Sequence, residues 1–305
     1  QGTDEFTHAV RSPGRVNLVG GHTDYAGGRV LPAATDLHTS LRARRAETVQ
    51  VRSETVDDTA VFDPRSPTFE GDWADYVKGV YAALADAGYE PGGFVGEITA
   101  TLPSGVGLSS SASLELAVLA LLDTLYDLGL ECDEMARLGA RAENDYVGVS
   151  CGLLDQLAVA HGEPNTALFL DTHTFERESV PVPGDLSILV FHTGVERSLR
   201  ETPYNERRAT VESALARLGA ETVSDVSESD IETLPAEERR RLGYVRRENE
   251  RVLRAKRALR AGDITKVGET LTAAHRDFAG AFDASCPELD FAVEAAVEAG
   301  AYGVA

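Results

Sequence analysis

Glycine, proline and serine residues are concentrated directly before a long apolar stretch in the first half of the chain. Residues 102–113 read LPSGVGLSSSAS, and the apolar stretch at 114–128 follows. A glycine-containing loop that leads into a helix presents free backbone amides at the positive end of the helix dipole, where an anion is stabilised. The serines also predict a hydroxyl cap on this helix. We therefore predict a phosphate site rather than an ordinary glycine turn; no Gly-Lys-Ser/Thr follows, so it is not a Walker A loop.

Side chains that suit hydrogen bonding to a polyol lie near the start of the chain. Arg15, His22 and Asp24 follow a Pro-Gly pair closely in sequence. Asp and His can exchange hydrogen bonds with hydroxyls, and Arg can hold negative charge. The alternative is that Asp24 caps a turn and His22 packs in the core. Further along, Glu143 and Asp155 each lie where a predicted helix ends or begins, and both offer carboxylate oxygens.

The overall charge limits the kinds of partner that the protein has. The 305 residues include 29 Lys and Arg against 50 Asp and Glu, which gives a formal net charge of −21. Such a charge argues against nucleic acid and anionic membranes as partners. The first residues are polar and no stretch approaches the roughly 18 apolar residues of a membrane span. We expect a cytoplasmic monomer with small-molecule partners.

Lysine is nearly missing from this acidic chain. Lys78, Lys256 and Lys266 are the only lysines, and arginine supplies the remaining positive charge. Concentrated salt screens the self-repulsion of an acidic surface within a few Å. The composition therefore predicts adaptation to a salty cytoplasm, and the alternative is an ordinary acidic protein.

The remaining pattern predicts strands and helices that position these groups. Apolar spacing predicts a helix over residues 73–89, in which Trp73 and Tyr76 are expected mainly as core aromatics. Apolar residues predict a strand over 186–195, and helical patterns dominate after residue 202. The Arg- and Glu-rich helix at 239–261 is expected to have a solvated, ion-paired face. Proline and glycine near residues 181–185 indicate a domain boundary.

Three segments together are specific enough to indicate a family. GRVNLVGGHTDYAGGRVLP, LPSGVGLSSSASLE and AENDYVGVSCGLLDQ occur in this order. They resemble the galactokinases of the GHMP kinase superfamily, and the similarity continues through FLDTHTFE, ETPYNERR and SCPELDF. The resemblance implies an α+β, two-domain GHMP kinase fold. Residues 1–183 would form an N-terminal domain like domain 2 of ribosomal protein S5. Residues 184–305 would form a ferredoxin-like C-terminal domain, incomplete here because the third glycine-rich motif is expected just after Ala305.

The resemblance also implies a reaction, namely ATP-dependent phosphorylation of the anomeric hydroxyl of galactose with Mg²⁺ as cofactor. By motif position, Asp155 is the catalytic aspartate and Arg15 its partner. Because an ordinary aspartate is a weak base, we expect Asp155 chiefly to orient the hydroxyl and to accept the proton late. The implied magnesium ligands are Ser111 and Glu143. The implied sugar-contacting positions are Gly21, His22, Asp24, Gly152 and Tyr204. The implied ATP-binding positions are Pro103, Gly105, Gly107, Leu108, Ser109, Ser110, Ser111 and Ala112 for the phosphates, with Trp73 and Tyr76 for the adenine.

One departure from the family pattern bears on specificity. Galactokinases usually have Glu where this chain has Gly21, and that Glu bonds the 6-hydroxyl of galactose. The alternatives are therefore a kinase for a sugar altered at carbon 6, such as L-arabinose or galacturonate, or a non-catalytic galactose and ATP sensor. Such sensors lack the Ser-Ala pair that is present here at Ser111 and Ala112. Mevalonate- and homoserine-type kinases are disfavoured by HTDY and CGLLDQ.

Overall fold

A computed structural model describes residues 6–149, 151–194 and 203–304. The strands are β1 (His8–Asn17), β2 (Arg29–Val30), β3 (Pro32–Ala46), β4 (Val49–Ser53), β5 (Asp58–Phe62), β6 (Gly93–Ala100), β7 (Thr166–Asp171) and β8 (Arg177–Pro181). The helices are α1 (Asp75–Asp86), α2 (Ser110–Tyr126), α3 (Cys132–Arg141), α4 (Leu154–Ala160), α5 (Pro203–Leu218), α6 (Glu228–Glu232), α7 (Ala236–Ala261), α8 (Ile264–Gly280) and α9 (Pro287–Glu298). Two compact units result, with 1–16 and 34–162 in unit 1 and 17–33 and 163–305 in unit 2.

Unit 1 packs helices on a mixed sheet. Strand β6 pairs antiparallel with β3 and parallel with β4, and β4 pairs antiparallel with β5. Along β4 the buried Val49 and Val51 alternate with exposed residues, which is the pattern of a strand with one face on a core. Helix α2 is apolar on nearly every side and is buried in this core through residues such as Leu119 and Leu122. Burial of each such leucine contributes about 1.5–3 kcal/mol, so the helix is a rigid support for the loop before it.

Unit 2 combines three short strands with the later helices. Strand β7 pairs antiparallel with both β2 and β8. Helix α7 packs against α5 and α8, around a core that includes Leu242, Tyr244, Val245 and Phe282. The expectation of a solvated, ion-paired face on this helix is wrong for part of it, because Arg241, Glu248 and Arg251 are buried. A 26-residue helix packed on several elements has to bury polar groups, and these are paired: Arg251 with Glu248, and Arg241 with the Phe282 carbonyl.

One further expectation differs from the structure, and another stays untested. Residues 186–194 form no strand in the described part of the chain, and Val195 lies outside it. Their side chains are largely exposed, Leu189 at 87 %, because no described strand lies beside them to complete a ladder. The two compact units also divide the chain elsewhere than at residue 183, since residues 17–33 group with unit 2. The family-based domain limits at 183 and 184 stay a prediction.

Among the helices within the described residues, none is both long and apolar enough to cross a bilayer.

Candidate active site

Arg15 and Asp155, which are far apart in sequence, meet within unit 1. Arg15 lies near the end of β1 and Asp155 in the first turn of α4. The Nε and Nη2 atoms of Arg15 both donate to Oδ1 of Asp155, at 2.8 and 2.6 Å. Its Nη1 donates to the carbonyl of Gly107 at 2.7 Å. One guanidinium therefore holds both the carboxylate and the glycine-rich loop, as its planar array of donors allows.

The second oxygen of Asp155 is held by Ser109. The Ser109 hydroxyl donates to Oδ2 of Asp155 at 2.6 Å. Ser109 has φ of 57°, in the left-handed region that a residue with a Cβ adopts only at a cost. The predicted serine cap is wrong, because Ser109 makes no side-chain capping bond to the helix. The strained backbone instead aims the hydroxyl at Asp155, so both carboxylate oxygens have a fixed donor.

Strand β1 contacts both ends of the glycine-rich loop and fixes its position. The Pro-Gly pair at residues 13–14 lies inside this strand. A Cβ on Gly14 would lie 2.5 Å from Cδ1 of Leu102 and 2.8 Å from the carbonyl oxygen of Leu108, so only glycine allows the loop this close. The Arg15 amide donates to that same Leu108 carbonyl at 3.1 Å. The loop is thus fixed at the residue where it meets α2.

The predicted phosphate residues occupy this loop and the start of α2. Pro103, Gly105 and Gly107 are exposed, whereas Leu108 and Ala112 are buried and anchor its end. Helix α2 begins at Ser110, and Ser110 and Ser111 are half-buried in its first turn. The first turn of a helix has amides without intrahelical acceptors, so this loop and helix start suit an anion.

Ser111 and Glu143, the predicted magnesium ligands, lie near enough to each other for Ser111 to affect the pKa of Glu143. Glu143 lies in the π-helical turn Ala142–Val147 and is only 6 % exposed. Burial raises the pKa of Glu143, and hydrogen bonds from Ser111 and Cys151 oppose that shift. A carboxylate beside a hydroxyl provides the hard oxygen ligands that Mg²⁺ prefers, and this ion usually takes one or two protein ligands besides phosphates and water. In the described part of the chain no cluster of three or more His, Cys, Asp or Glu could hold a metal.

Sequence reasoning missed a second buried carboxylate behind this pair. Glu115 is fully buried, and Nε2 of Gln156 donates both to Glu115 at 3.1 Å and to Glu143 at 2.9 Å. Burial, with the nearby charge of Glu143, raises the pKa of Glu115 well above its ordinary value. The available signal was a carboxylate directly between two leucines in a largely apolar helix. Gln156 follows Asp155 directly, so one short helix positions both the aspartate and the amide that bonds Glu143.

Most of the predicted sugar residues lie in unit 2. The ring of His22 lies 5.1 Å from that of Tyr204 and 4.5 Å from that of Phe282, and its Nδ1 is 3.1 Å from the Tyr25 hydroxyl. Burial, helped by the charges of Arg207 and Arg241, lowers the pKa of His22 to about 4. The imidazole is therefore neutral at pH 7, with one donor and one acceptor nitrogen.

The other predicted positions are also half-buried or exposed. Asp24 begins the short 3₁₀ turn Asp24–Ala26, and Gly21 lies just before it. Tyr204 is 37 % exposed, near the start of α5. Gly152 belongs to unit 1, just before α4. The structure thus brings His22 close to Tyr204, and it places Gly152 in the unit that contains Asp155.

Trp73 and Tyr76 lie at the start of α1. Trp73 packs partly against the core of unit 1, and its Nε1 donates to Oδ2 of Asp58 at 3.0 Å. Both residues remain partly accessible.

Comparisons with known proteins indicate the family of the chain. Residues 75–163 match the model of the GHMP kinases N terminal domain, and residues 2–45 match the galactokinase galactose-binding signature. The galactokinase of Pyrococcus furiosus is 48 % identical over 294 residues, which are 96 % of this chain and 84 % of that protein. The galactokinase of Thermococcus kodakarensis is 49 % identical over the same shares.

Solved structures extend the similarity to the fold. Lactococcus lactis galactokinase, in complex with galactose, has a TM-score of 0.89 and 36 % identity, over 96 % of this chain and 80 % of that one. Methanococcus jannaschii mevalonate kinase, at 16 % identity and a TM-score of 0.68 over 99 % of this chain and 87 % of that one, shares the fold alone. The expected α+β GHMP kinase fold is thereby confirmed. The chain belongs to the galactokinase family of the GHMP kinases.

Proposed function

We propose that the protein is a galactokinase, which transfers the γ-phosphoryl group of ATP to the anomeric hydroxyl of galactose and releases galactose 1-phosphate and ADP. The observation that carries the proposal is the arrangement of Arg15, Ser109 and Asp155 at the end of the glycine-rich loop. It joins a fixed carboxylate to a loop that suits phosphate. The similarity to galactokinases over 96 % of the chain supports galactose as the sugar.

In this reaction Asp155 orients the anomeric hydroxyl toward the phosphoryl group and takes up its proton late. Phosphoryl transfer needs little covalent assistance, since positioning and charge neutralisation lower most of the barrier. Arg15 offers its fixed positive charge to the oxygens on which negative charge develops. Because Arg15 also donates to the Gly107 carbonyl, it keeps its charge beside the phosphate loop.

The ATP side of the site is assigned to the loop and its neighbours. We assign the phosphates to the amides of residues 105–112 and the adenine to the region of Trp73 and Tyr76. Ser111 and Glu143 would hold Mg²⁺, which neutralises phosphate charge when bound. Gln156 keeps the Glu143 carboxylate in place.

The sugar hydroxyls are assigned to His22, Asp24, Tyr204 and Gly152. A neutral His22 can donate to one hydroxyl and accept from another, which suits a polyol better than a cation does. The aromatic rings around His22 fix its orientation.

Steady-state ADP formation tests this function. With MgCl₂ and ATP, addition of galactose should start ADP formation, whereas glucose, the epimer at carbon 4, should support far less. Tight binding of galactose and ATP without turnover would instead identify a sensor and refute the kinase assignment.

Ser109 provides the first variant test. Ser109→Ala loses the hydrogen bond to Asp155, and a hydrogen bond to a charged group is worth about 1.5–3 kcal/mol, so kcat should fall about 10- to 100-fold. Ser109→Gly loses the same bond but relaxes the left-handed backbone, so it should match the Ala variant in rate while melting at a higher temperature. If either variant kept wild-type kcat, the hydroxyl would have no part in holding Asp155.

Gly21 predicts relaxed selection at carbon 6 of the sugar. L-Arabinose and 6-deoxygalactose should be used better than by relatives with Glu at this place. A Cβ at Gly21 would meet only the Tyr244 hydroxyl, at an ordinary 3.5 Å, so Gly21→Glu adds a side chain without a clash at Cβ. It should raise the preference for galactose over these two analogues about 10- to 100-fold in kcat/KM, the value of one charged hydrogen bond.

The comparison should include galacturonate. Strong rejection of all three analogues by the unmodified protein would contradict the prediction. A clear preference for one of them would replace galactose as the substrate.

We also propose that the protein is adapted to salt. With a net charge of −21, the fold should melt at a lower temperature in dilute buffer at pH 7 than in molar salt, where the screening length is about 3 Å. The salt dependence should shrink at pH 5, close to the sequence pI of 4.7, and this supplies the control. A melting temperature that does not change with salt at pH 7 would refute the proposal.

The cellular location, oligomeric state and partners of the protein are proposed from its charge and from the reaction. We propose a cytoplasmic monomer that binds sugar, ATP and Mg²⁺ and neither nucleic acid nor membranes. The acidic surface supports this, since it repels both polyanions.

A further inference from the structure

Side chains of helix α7 form hydrogen bonds to both ends of the segment of residues 20–29, called the sugar loop. At the first end, Oε1 of Glu248 accepts the amide of Gly20 at 2.9 Å and that of Gly21 at 3.4 Å. At the far end, Oδ1 of Asn249 accepts the amide of Arg29 at 2.8 Å. Glu248 and Asn249 are each only 2 % exposed. Neither residue belongs to the motifs from which the site was predicted.

The backbone at Gly20 is shaped to make this contact. Gly20 has φ of 104°, and a Cβ there would lie 2.7 Å from the Arg29 carbonyl oxygen and 2.8 Å from Cα of Val30. The two ends of the sugar loop therefore lie in close contact at Gly20, where only glycine fits. Both donated amides point at one carboxylate, which is an arrangement that fixes a peptide plane.

Tyr244, one turn earlier on α7, holds the next group along the loop. Its hydroxyl donates to the Gly21 carbonyl at 3.3 Å. Its ring stacks on Phe282 with centroids 4.4 Å apart, and Phe282 in turn packs 4.5 Å from the ring of His22. The same face of α7 therefore orders both the backbone before His22 and the rings around it.

A buried charge such as Glu248 has to be compensated. Arg251 donates to Oε2 of Glu248 at 2.9 Å and to Asp277 at 2.5 Å. Arg247 donates two further hydrogen bonds of 2.8 Å to Asp277. Burial alone would raise the pKa of Asp277, but hydrogen bonds from Arg247 and Arg251 hold it below its ordinary value. The four charges alternate in sign. Arg251 therefore fixes Oε2 of Glu248, and Oε1 of Glu248 accepts the amides of the sugar loop.

We propose that Glu248 is a positioning residue for sugar binding, which fixes the Gly20–Gly21 backbone so that His22 and Asp24 face the sugar hydroxyls. It acts through the loop and touches no substrate. The inference rests on the proposed function in one respect, namely that this loop binds the sugar.

Glu248→Gln is the direct test, because it keeps the shape of the side chain and removes its charge. Calorimetric titration without ATP should give a Kd for galactose raised about 10- to 100-fold, as expected for loss of charged hydrogen bonds. KM for ATP should stay within about twofold of wild type. Glu250→Gln, an exposed glutamate on the same helix, is the matched control and should change neither value.

Hydrogen exchange separates this inference from the function itself. Amides of a peptide covering residues 18–31 should exchange faster in Glu248→Gln than in wild type or Glu250→Gln. Faster exchange with an unchanged Kd for galactose, or no change in either, would overturn the proposal. If wild type failed to bind galactose while the exchange difference persisted, the proposed function would be refuted and the anchoring of the loop would stand.

Tyr244→Phe keeps the test decisive if Glu248→Gln folds poorly. It removes only the hydroxyl that bonds the Gly21 carbonyl and leaves the packed ring in place. It should raise the Kd for galactose by a few fold without changing KM for ATP. A wild-type Kd in this variant would contradict the positioning role of the α7 face.

Discussion

Replacement of Asp155 by Asn is expected to lower kcat about 10²- to 10⁴-fold while the affinity for ATP stays close to wild type. The range is the usual contribution of a positioned acid–base group. Asn keeps the size of the side chain and an oxygen that can accept from Arg15 or Ser109, so the loop should remain in place. It removes the negative charge and the ability to take up the hydroxyl proton.

Asp145→Asn provides the matched control for this variant. Asp145 lies in the same unit and is exposed, and its Oδ2 forms an ion pair with Nε of Arg141 at 3.7 Å. Its kcat should equal that of wild type. If Asp155→Asn changed only KM for galactose, Asp155 would be a binding residue and the catalytic assignment would be wrong.

The second large effect is expected at Arg15. Arg15→Ala removes the positive charge and three hydrogen bonds, two to Asp155 and one to the Gly107 carbonyl. We expect kcat to fall about 10²- to 10³-fold, as when a donor to the developing charge is removed from other enzymes. Arg15→Lys keeps the charge, but one ammonium group does not reproduce the fork that spans carboxylate and loop. Its loss should be roughly tenfold, which corresponds to about 1.4 kcal/mol.

The order of these three proteins is the informative result. Pre-steady-state measurement of ADP formation should rank wild type above Arg15→Lys and Arg15→Lys above Arg15→Ala. Equal rates for the Lys and Ala variants would mean that the fork geometry, and not the charge, accounts for the whole effect. Wild-type rates in both would remove Arg15 from the mechanism.

The sequence predicted well the parts of the site that depend on local pattern. The glycine-rich loop followed by the apolar run became the exposed loop and buried helix α2, because composition alone favours that arrangement. The pairing of Arg15 with Asp155 came from family resemblance, since residues that are 140 positions apart leave no periodic signal.

Side-chain direction was the part that local pattern could not decide. Three serines before a helix favour a cap, yet Ser109 adopts a left-handed backbone and bonds Asp155, a tertiary partner that the local sequence does not reveal. The same limit applies to α7, where an Arg- and Glu-rich pattern suggested a solvated face. Glu248 and Arg251 are instead buried because each has a partner of opposite charge from another turn or helix.

Strand prediction failed where pairing was needed. Residues 186–194 have the apolar composition of a strand, but a strand is stable only beside another one, and none of the described strands flanks them. Glu115 was missed for a related reason, since its burial depends on Gln156 from another helix, which the local sequence does not reveal.

The position of the phosphate on the product tests the central claim most directly. After incubation of the protein with galactose, ATP and MgCl₂, the ³¹P spectrum should contain a new phosphate monoester signal coupled to the anomeric proton, in an amount equal to the ADP formed. A phosphate on another hydroxyl, or inorganic phosphate in place of a sugar ester, would contradict the account.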